Sequence, residues 1–151
     1  MSRDRETVIA AFRMALDHAL AEARSAMEEL SSSLGKETKS TAGDKHETGR
    51  AMVQREMEQA GERLARCEAL QAMAIRLDLD RARAQVGPGA IVVSGQARLL
   101  IGVGLGPFEV PGLGRFQAIS ADAPIAGVLA GAAEGEIREF RGQPWTIESL
   151  A

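Results

Sequence analysis

The chain has 151 residues, and its 18 basic and 21 acidic side chains leave a formal net charge of −3. This length allows one domain or two small ones, and the near balance of charge excludes an overall field that draws the protein onto nucleic acid or anionic lipid. The single cysteine, Cys67, excludes an internal disulfide framework and is typical of a reducing compartment.

Neither the first residues nor any later segment has the pattern of a targeting or membrane sequence. Residues 1–6 are mostly charged and are not followed by an apolar core with a cleavage site, so we expect no secretory signal. The chain contains no run of about eighteen apolar residues, so no membrane-spanning segment is predicted. We therefore expect a soluble, cytoplasmic protein.

Proline and glycine divide the chain into two parts. All five prolines lie beyond residue 87, and 12 of the 16 glycines lie at or beyond it. Both residue types are costly inside helices and useful in turns. The shift predicts two domains, a helical one over residues 1–86 and a second one over residues 87–151.

The first predicted helix covers residues 4–34. Its apolar residues recur at alternating steps of three and four, which is the heptad spacing of a coiled-coil seam. The seam consists of Ile9, Phe12, Leu16, Ala19, Ala23, Ala26 and Leu30. Residues 31–35, three serines followed by leucine and glycine, are expected to end the helix.

A second predicted helix covers residues 44–84 and follows a polar connection over residues 36–43, which we expect to be mobile. Its seam consists of Val53, Met57, Ala60, Leu64, Cys67, Leu70 and Ala74. Two consecutive seams with a short linker predict an antiparallel helical hairpin. At about 1.5 Å per residue, its arms reach on the order of 45 Å.

The remaining residues have the β-branched, turn-separated pattern of short strands. We predict strands over residues 90–93, 97–103, 108–110, 115–119, 136–140 and 145–150, with one short helix over residues 124–130. The predicted fold class is therefore α+β, in which a helical hairpin precedes a small antiparallel sheet with one helix.

Asp44 and Glu47 are the first candidate functional residues. They are three residues apart at the start of the second helix, so they share a face about 5–6 Å apart. On spacing alone, the commoner interpretation is a helix cap, because acids favour a helix N-terminus. The functional interpretation is an exposed pair of oxygen ligands for a Mg²⁺ that another protein mainly holds. His46 lies between the two acids, and its role stays open.

The other candidate motifs are weaker. Arg50 and Arg55 could contact an acidic partner or an RNA backbone, but the neighbouring glutamates favour an ordinary charged surface. Cys67 lies on the seam and is expected to be a small core residue. The glycines of residues 102–106 are not followed by a helix or a P-loop lysine, which excludes a phosphate loop. No histidine–cysteine cluster suggests zinc.

Two motifs, in this order, resemble those of the Gre-type bacterial transcript-cleavage factors. The hairpin tip of that family typically reads G-D-x-x-E-N, and the sequence here is Gly43-Asp44-Lys45-His46-Glu47-Thr48. The family's C-terminal signature reads roughly I-S-x-x-S-P-I-A-R-A-L-x-G-K-x-x-G-D, and residues 119–136 here read ISADAPIAGVLAGAAEGE. The resemblance covers the whole chain in the order of its parts, an N-terminal coiled-coil hairpin and a C-terminal FKBP-like domain.

The resemblance implies a non-enzymatic transcription elongation factor that acts as a monomer on RNA polymerase. Its C-terminal domain would dock at the rim of the secondary channel, with Asp122, Pro124 and Ile125 in the contact. The hairpin would enter the channel, where Asp44 and Glu47 would help to hold the polymerase's second catalytic Mg²⁺ beside the 3′ end of backtracked RNA. The polymerase would perform the cleavage, and the factor would have no cofactor of its own.

Departures from the family pattern leave an alternative open. Thr48 stands where the family usually has asparagine, and Arg50 stands where it has an aromatic residue. Gly127 and Ala132 replace the two basic residues of the C-terminal signature. A regulator of the same build that occupies the channel without stimulating cleavage is therefore the second hypothesis.

Two further hypotheses come from other functional classes. A peptidyl-prolyl isomerase would need an aromatic-lined pocket, and the second domain offers only three phenylalanines and one tryptophan for it: Phe108, Phe116, Phe140 and Trp145. A structural coiled-coil dimer would use the seams between chains. The acid pair favours neither of these.

Overall fold

The computed structural model describes the backbone of residues 2–39 and 43–151, and the side chains of residues 3–35 and 49–151. Two long helices come first, α1 (Ser2–Lys39) and α2 (Gly43–Arg76). The later elements are β1 (Ile91–Val93), β2 (Arg98–Ile101), β3 (Gly106–Val110), β4 (Gly114–Ile119), α3 (Pro124–Leu129), β5 (Ile137–Phe140), β6 (Gln143–Thr146) and β7 (Ser149–Leu150). The α+β class is confirmed, with a long helical hairpin, a small sheet and one short helix.

The two predicted seams form the packed faces of the hairpin, because every seam residue of α1 and α2 is buried or half-buried. The predicted end of α1 at residues 31–35 is wrong, since the helix runs on to Lys39. Leu30 and Leu34 are both half-buried and continue the packed face across the serines. A serine or a glycine costs at most about 1 kcal/mol in a helix, which such packing offsets. Residues 36–39 are thus helical, and residues 40–42 lie outside the described part of the chain.

The second helix ends at Arg76, earlier than predicted. Asp78 takes a left-handed backbone conformation with φ 49°, which breaks the helical path. Leu79 then turns into the core, where it is 1% exposed. The Arg83 guanidinium donates to the carbonyls of Leu77 and Asp78, so it satisfies oxygens that the helix end leaves unpaired. The leucines that seemed to extend the helical pattern belong to this turn and to the core.

Five strands form the main sheet in the order β3-β4-β2-β1-β7, and β5 pairs with β6 in a second, two-stranded sheet. The pairs are antiparallel as predicted, except that β2 and β4 run parallel with Leu100 opposite Ala118. The strand predicted over residues 145–150 is divided between the two sheets. Ile147 is fully buried at the division, and its amide donates a hydrogen bond to the Glu136 carbonyl. The next amide, that of Glu148, donates to the Val93 carbonyl in the main sheet. The chain therefore changes sheets at this point.

The sheet buries both faces. Along β2, Leu100 packs into one core, whereas Leu99 and Ile101 pack into the other, as the alternation of side chains along a strand requires. The first core contains the beginning of α1, with Val8, Ile9, Phe12 and Leu16. The second core contains Ala126 and Leu129 of α3. The amphipathic start of α1 thus serves as a layer on the sheet.

Contacts divide the chain into two compact units. The root unit comprises Met1–Leu16 and Leu70–Ala151, and the arm unit comprises Asp17–Ala69. The predicted boundary at residues 86 and 87 follows the change from helix to strand, whereas the contacts place residues 70–86 with the sheet. Among the described helices, none is both long and apolar enough to pass through a membrane.

Candidate functional site

The predicted acid pair lies at the beginning of α2. Asp44 and Glu47 both belong to the helical backbone that starts at Gly43, and positions three apart on a helix lie on the same face. The pair follows directly on the connection between two helices of 38 and 34 residues. Their side chains, like that of His46, lie outside the described residues. The backbone therefore agrees with a shared face, and the pairing of the carboxylates stays a prediction.

Arg50 and Arg55 follow the acid pair along α2, and both side chains are exposed. Neither forms an ion pair with a side chain that the structure describes. Further along the helix, Arg63 lies 3.5 Å from the Glu22 carboxylate of α1, and that carboxylate also lies 3.0 Å from His18. The charged side chains that the structure describes in the arm unit therefore lie on an outer, solvated surface, as the alternation of arginine and glutamate predicts.

The interior of the arm unit consists of small and medium side chains. Cys67 is 7% exposed and free, and the prediction that it is a core residue is confirmed. Leu20 and Ala23 of α1 are similarly buried, at 2% and 1% exposed. Cys67 therefore belongs to the packing of the hairpin.

The C-terminal signature forms a turn followed by α3. The Ser120 hydroxyl accepts a hydrogen bond of 3.1 Å from the Asp122 amide, and the Ser120 carbonyl accepts one from Ala123. Pro124 then begins the helix, where its missing N–H costs nothing. Asp122 and Pro124 are exposed, while the half-buried Ile125 packs against the second core. The three predicted contact residues thus lie together, two on the surface and one anchored.

Arg138 holds the far end of α3 and was not predicted to matter. Its guanidinium donates to the carbonyls of Val128 at 2.9 Å and Ala130 at 3.2 Å, and it pairs with Glu136 at 3.1 Å. The Ala133 amide, and after it Arg138, lower the pKa of the Glu136 carboxyl below its usual range. A basic side chain at a helix C-terminus satisfies unpaired carbonyls. Its position fourteen residues after Pro124 gave no sign of this contact.

The predicted residues fall into two groups. The acid pair and the two arginines belong to the arm unit, whereas Asp122, Pro124 and Ile125 belong to the root unit. Among the described residues, no group of three histidine, cysteine or acidic side chains is arranged to hold a metal ion. The side chains of the acid pair are not among the residues to which this finding applies.

A buried arginine is the main feature that the sequence analysis missed. Arg5 is only 4% exposed, and its Nη2 donates to the carbonyls of Leu79 at 2.7 Å and Gly89 at 3.0 Å. Burial, and after it the nearby Arg83 guanidinium, lower the pKa of Arg5. A signal was present, because Arg5 precedes Ile9 by four residues and thus occupies the next seam position. A charged residue in seam register on a helix that covers a sheet points to a buried cation.

The aromatic residues are divided between two places. Phe108 and Phe116 belong to the first core, where the Phe108 ring meets Phe12 edge-on at a centroid distance of 5.7 Å. Phe140 and Trp145 pair on the two-stranded sheet, at 6.4 Å. The four rings therefore do not converge on one pocket, as a prolyl-isomerase site would need.

No protein-family model, curated protein or solved structure matches this chain.

Proposed function

We propose that this protein is a transcription elongation factor that inserts its helical hairpin into the secondary channel of RNA polymerase and stimulates cleavage of backtracked RNA. The observation that carries the proposal is the position of Asp44 and Glu47. They lie three residues apart at the beginning of α2, directly after the connection between two long helices. The resemblance to the Gre-type factors in the tip and the C-terminal signature supports it.

The chemistry of the pair fits this role. Two carboxylates one helical turn apart can supply two of the six oxygen ligands that Mg²⁺ needs, and Mg²⁺ usually takes few protein ligands and keeps several waters. Bound between polymerase and factor, the ion would activate water and stabilise charge on the phosphate. Asp44 and Glu47 would orient the ion and neutralise part of its charge, and the polymerase would hydrolyse the RNA. On its own the protein is not an enzyme under this proposal.

The surface of the root unit suits docking to the polymerase rim. Asp122 and Pro124 are exposed on a turn that the Ser120 hydrogen bonds hold. Ile125 and Arg138 fix the helix behind that turn. A rigid turn loses little conformational entropy on binding. Arg50 and Arg55 are exposed in the arm unit and are available to acidic polymerase side chains or the RNA backbone.

The decisive experiment measures RNA cleavage in stalled, backtracked polymerase complexes. We expect Asp44→Asn and Glu47→Gln each to lower the cleavage rate at least about tenfold, since even the loss of an outer-shell partner of a metal ligand typically costs about 10–100-fold. Binding to core polymerase should stay unchanged. Matched controls are Glu56→Gln and Glu58→Gln, which neutralise exposed acids further along the same helix. Unchanged stimulation by both tip variants would remove the acid pair from the mechanism.

Docking is tested separately by capture of core RNA polymerase on immobilised protein. We expect Asp122→Arg to weaken capture, whereas Glu134→Arg, an equal charge change at another exposed position of the root unit, should not. Equal capture of both variants would exclude this turn from the interface.

A second candidate function is a regulator that occupies the channel without stimulating cleavage. The departures at Thr48, Arg50 and Gly127 favour it, and Gly127 has open space where the family carries a long basic side chain. This function predicts that the unaltered protein binds polymerase, lowers its elongation rate and leaves backtracked RNA intact. The same cleavage assay with unaltered protein separates the two functions.

A further inference from the structure

The root unit contains a cavity of about 620 Å³ beside the beginning of α1. A volume of 300–1,000 Å³ is typical of small-molecule sites. Its apolar wall includes Ile9, Leu79 and Leu150, and its charged wall includes three arginines, Arg5, Arg13 and Arg83, and two acids, Glu6 and Asp80. The lining thus combines an apolar side with an excess of positive charge.

Arg5 is the most unusual group of this wall. Only its Nη2 is hydrogen-bonded, whereas Nε and Nη1 are fully buried and have no partner among the residues that the structure describes. Buried polar groups are nearly always hydrogen-bonded, and buried charges are nearly always paired. Its two hydrogen bonds go to neutral carbonyls, so the guanidinium has no directly bound carboxylate among the described residues and adds positive charge to the wall of the cavity.

The charges of Asp80 and Asp78 act favourably on Arg5, but among the described residues neither acid forms an ion pair with it. Asp80 is bound to Arg13 at 2.9 Å. Asp78 lies 3.9 Å from Arg81. Arg83 donates to backbone carbonyls, Pro88 among them at 3.1 Å, and adds a second positive charge close to Arg5. Burial, and after it the Arg83 guanidinium, lower the pKa of Arg5.

We propose that this cavity binds a small molecule that carries one anionic group, a carboxylate or a phosphate, on an apolar body. The anionic group lies beside Arg5, and the apolar body lies against Ile9, Leu79 and Leu150. The positive charge of Arg5, which lines the cavity, attracts the anionic group. Arg83 adds electrostatic attraction, while its own N–H groups stay on the backbone carbonyls.

This site is independent of the function proposed above. It lies entirely within the root unit and uses neither the acid pair nor the C-terminal turn. Its occupation would stabilise the contact of α1 with the segment around Leu79 and Gly89, to which Arg5 donates.

The test is calorimetric titration of the full chain with decanoate and decyl phosphate, each below the concentration at which micelles form, and with decanol below its solubility limit. We expect saturable binding of one or both anions at one molecule per chain. Decanol should bind at least about tenfold more weakly, which corresponds to one charge-assisted hydrogen bond. The comparison of decanoate with decyl phosphate identifies the preferred anionic group.

Two pairs of variants locate the site. Arg5→Met removes the charge, and Arg3→Met removes an exposed arginine two residues away that does not line the cavity. Ala82→Trp fills the cavity from an exposed lining position, and Ala84→Trp adds the same side chain outside it. We expect both Arg5→Met and Ala82→Trp to weaken anion binding at least about tenfold, and both control variants to bind as the unaltered protein does.

Several outcomes would overturn the proposal. These are the absence of saturable binding for both anions, equal affinity for decanol, and full affinity in Ala82→Trp. If Arg5→Met does not fold, as far-ultraviolet circular dichroism would show, Ala82→Trp and the decanol comparison still decide the question.

Discussion

The root unit and the arm unit use the same helical pattern with different results. α1 passes through both, and its seam keeps one heptad spacing throughout. In the root unit Ile9, Phe12 and Leu16 are at most 3% exposed. In the arm unit Ala23 is also fully buried, but the other three seam residues of α1 are only half-buried: Ala19, Ala26 and Leu30. A seam that packs on one helix keeps part of its surface in water, whereas a seam that also covers a sheet is closed off. Burial thus depends on the number of layers, and the seam alone does not determine it.

The two units also use arginine differently. In the arm unit Arg50, Arg55 and Arg63 lie exposed on a charged surface. In the root unit the guanidinium groups of Arg5, Arg83 and Arg138 bind backbone carbonyls where chain segments meet. The planar guanidinium has five donors and can join several carbonyls at once. The root unit therefore depends on particular arginines, and the arm unit depends on its overall charge pattern.

The largest effect is expected from the contrast between Phe12 and Leu30. Phe12 is fully buried against Phe108, so Phe12→Ala should lower the free energy of unfolding by about 3–5 kcal/mol. Leu30→Ala removes a half-buried side chain in the arm and should cost about 1 kcal/mol. Urea denaturation monitored by circular dichroism measures both. Equal losses would contradict the difference in burial.

A second contrast concerns glycine within the root unit. Gly102 has φ 116°, and a Cβ there would lie 2.8 Å from Leu77 Cδ1 and 3.3 Å from the backbone of Pro88 and Gly89. Gly102→Ala should therefore cost at least about 2 kcal/mol. Gly127 lies in α3 with open space around it, so Gly127→Ala should stabilise the protein by about 0.5–1 kcal/mol. Thermal unfolding of both variants checks the opposite signs.

A third contrast compares one arginine from each unit. Arg138→Met removes two hydrogen bonds to carbonyls at the end of α3 and an ion pair with Glu136. Because the side chain is partly exposed, we expect a loss of only about 1 kcal/mol in the free energy of unfolding. Arg63→Met removes an exposed ion pair with Glu22 and should cost less than about 0.5 kcal/mol. If Arg63→Met lowered the free energy of unfolding more than Arg138→Met, the arm unit would also depend on individual contacts.

The smallest effect is a pH dependence in the root unit. The hydrogen bond and charge of Arg13 lower the pKa of the Asp80 carboxyl below its usual range. A depressed pKa in the folded state stabilises the protein above the unfolded-state pKa, near 3.9, and this contribution is lost as pH falls through the folded-state value. The Asp80→Asn variant should therefore be slightly less stable than the unaltered protein at neutral pH. Its stability should also decline less steeply as the pH falls.

The measurement is the unfolding temperature between about pH 2 and pH 7, within the range where carboxylates titrate. Arg13→Gln serves as the reciprocal variant, because it removes the partner and leaves the carboxylate. The two variants and the double variant should show the same flattened profile. A profile for Asp80→Asn that matches the unaltered protein would show that the pair does not contribute.

The sequence by itself determined the periodic elements. The steps of three and four identified both helices and their seams, and the short β-branched runs after Gly87 identified the strands. These signals are local, since each residue contacts neighbours three or four positions away or alternates along its own strand. The position of the acid pair at the start of a helix was predicted in the same way, and the C-terminal turn followed from Pro124.

Only the tertiary structure decided how far the elements extend and which charges are buried. α1 passes through its serines because leucines on both sides continue to pack, and α2 ends at Arg76 because Leu79 is drawn into the core. The parallel pairing of β2 with β4, and the contacts of Arg5 and Arg83, join residues that are far apart in the chain. Such contacts depend on burial and on which carbonyls remain unpaired after folding, and neither quantity can be read from local periodicity.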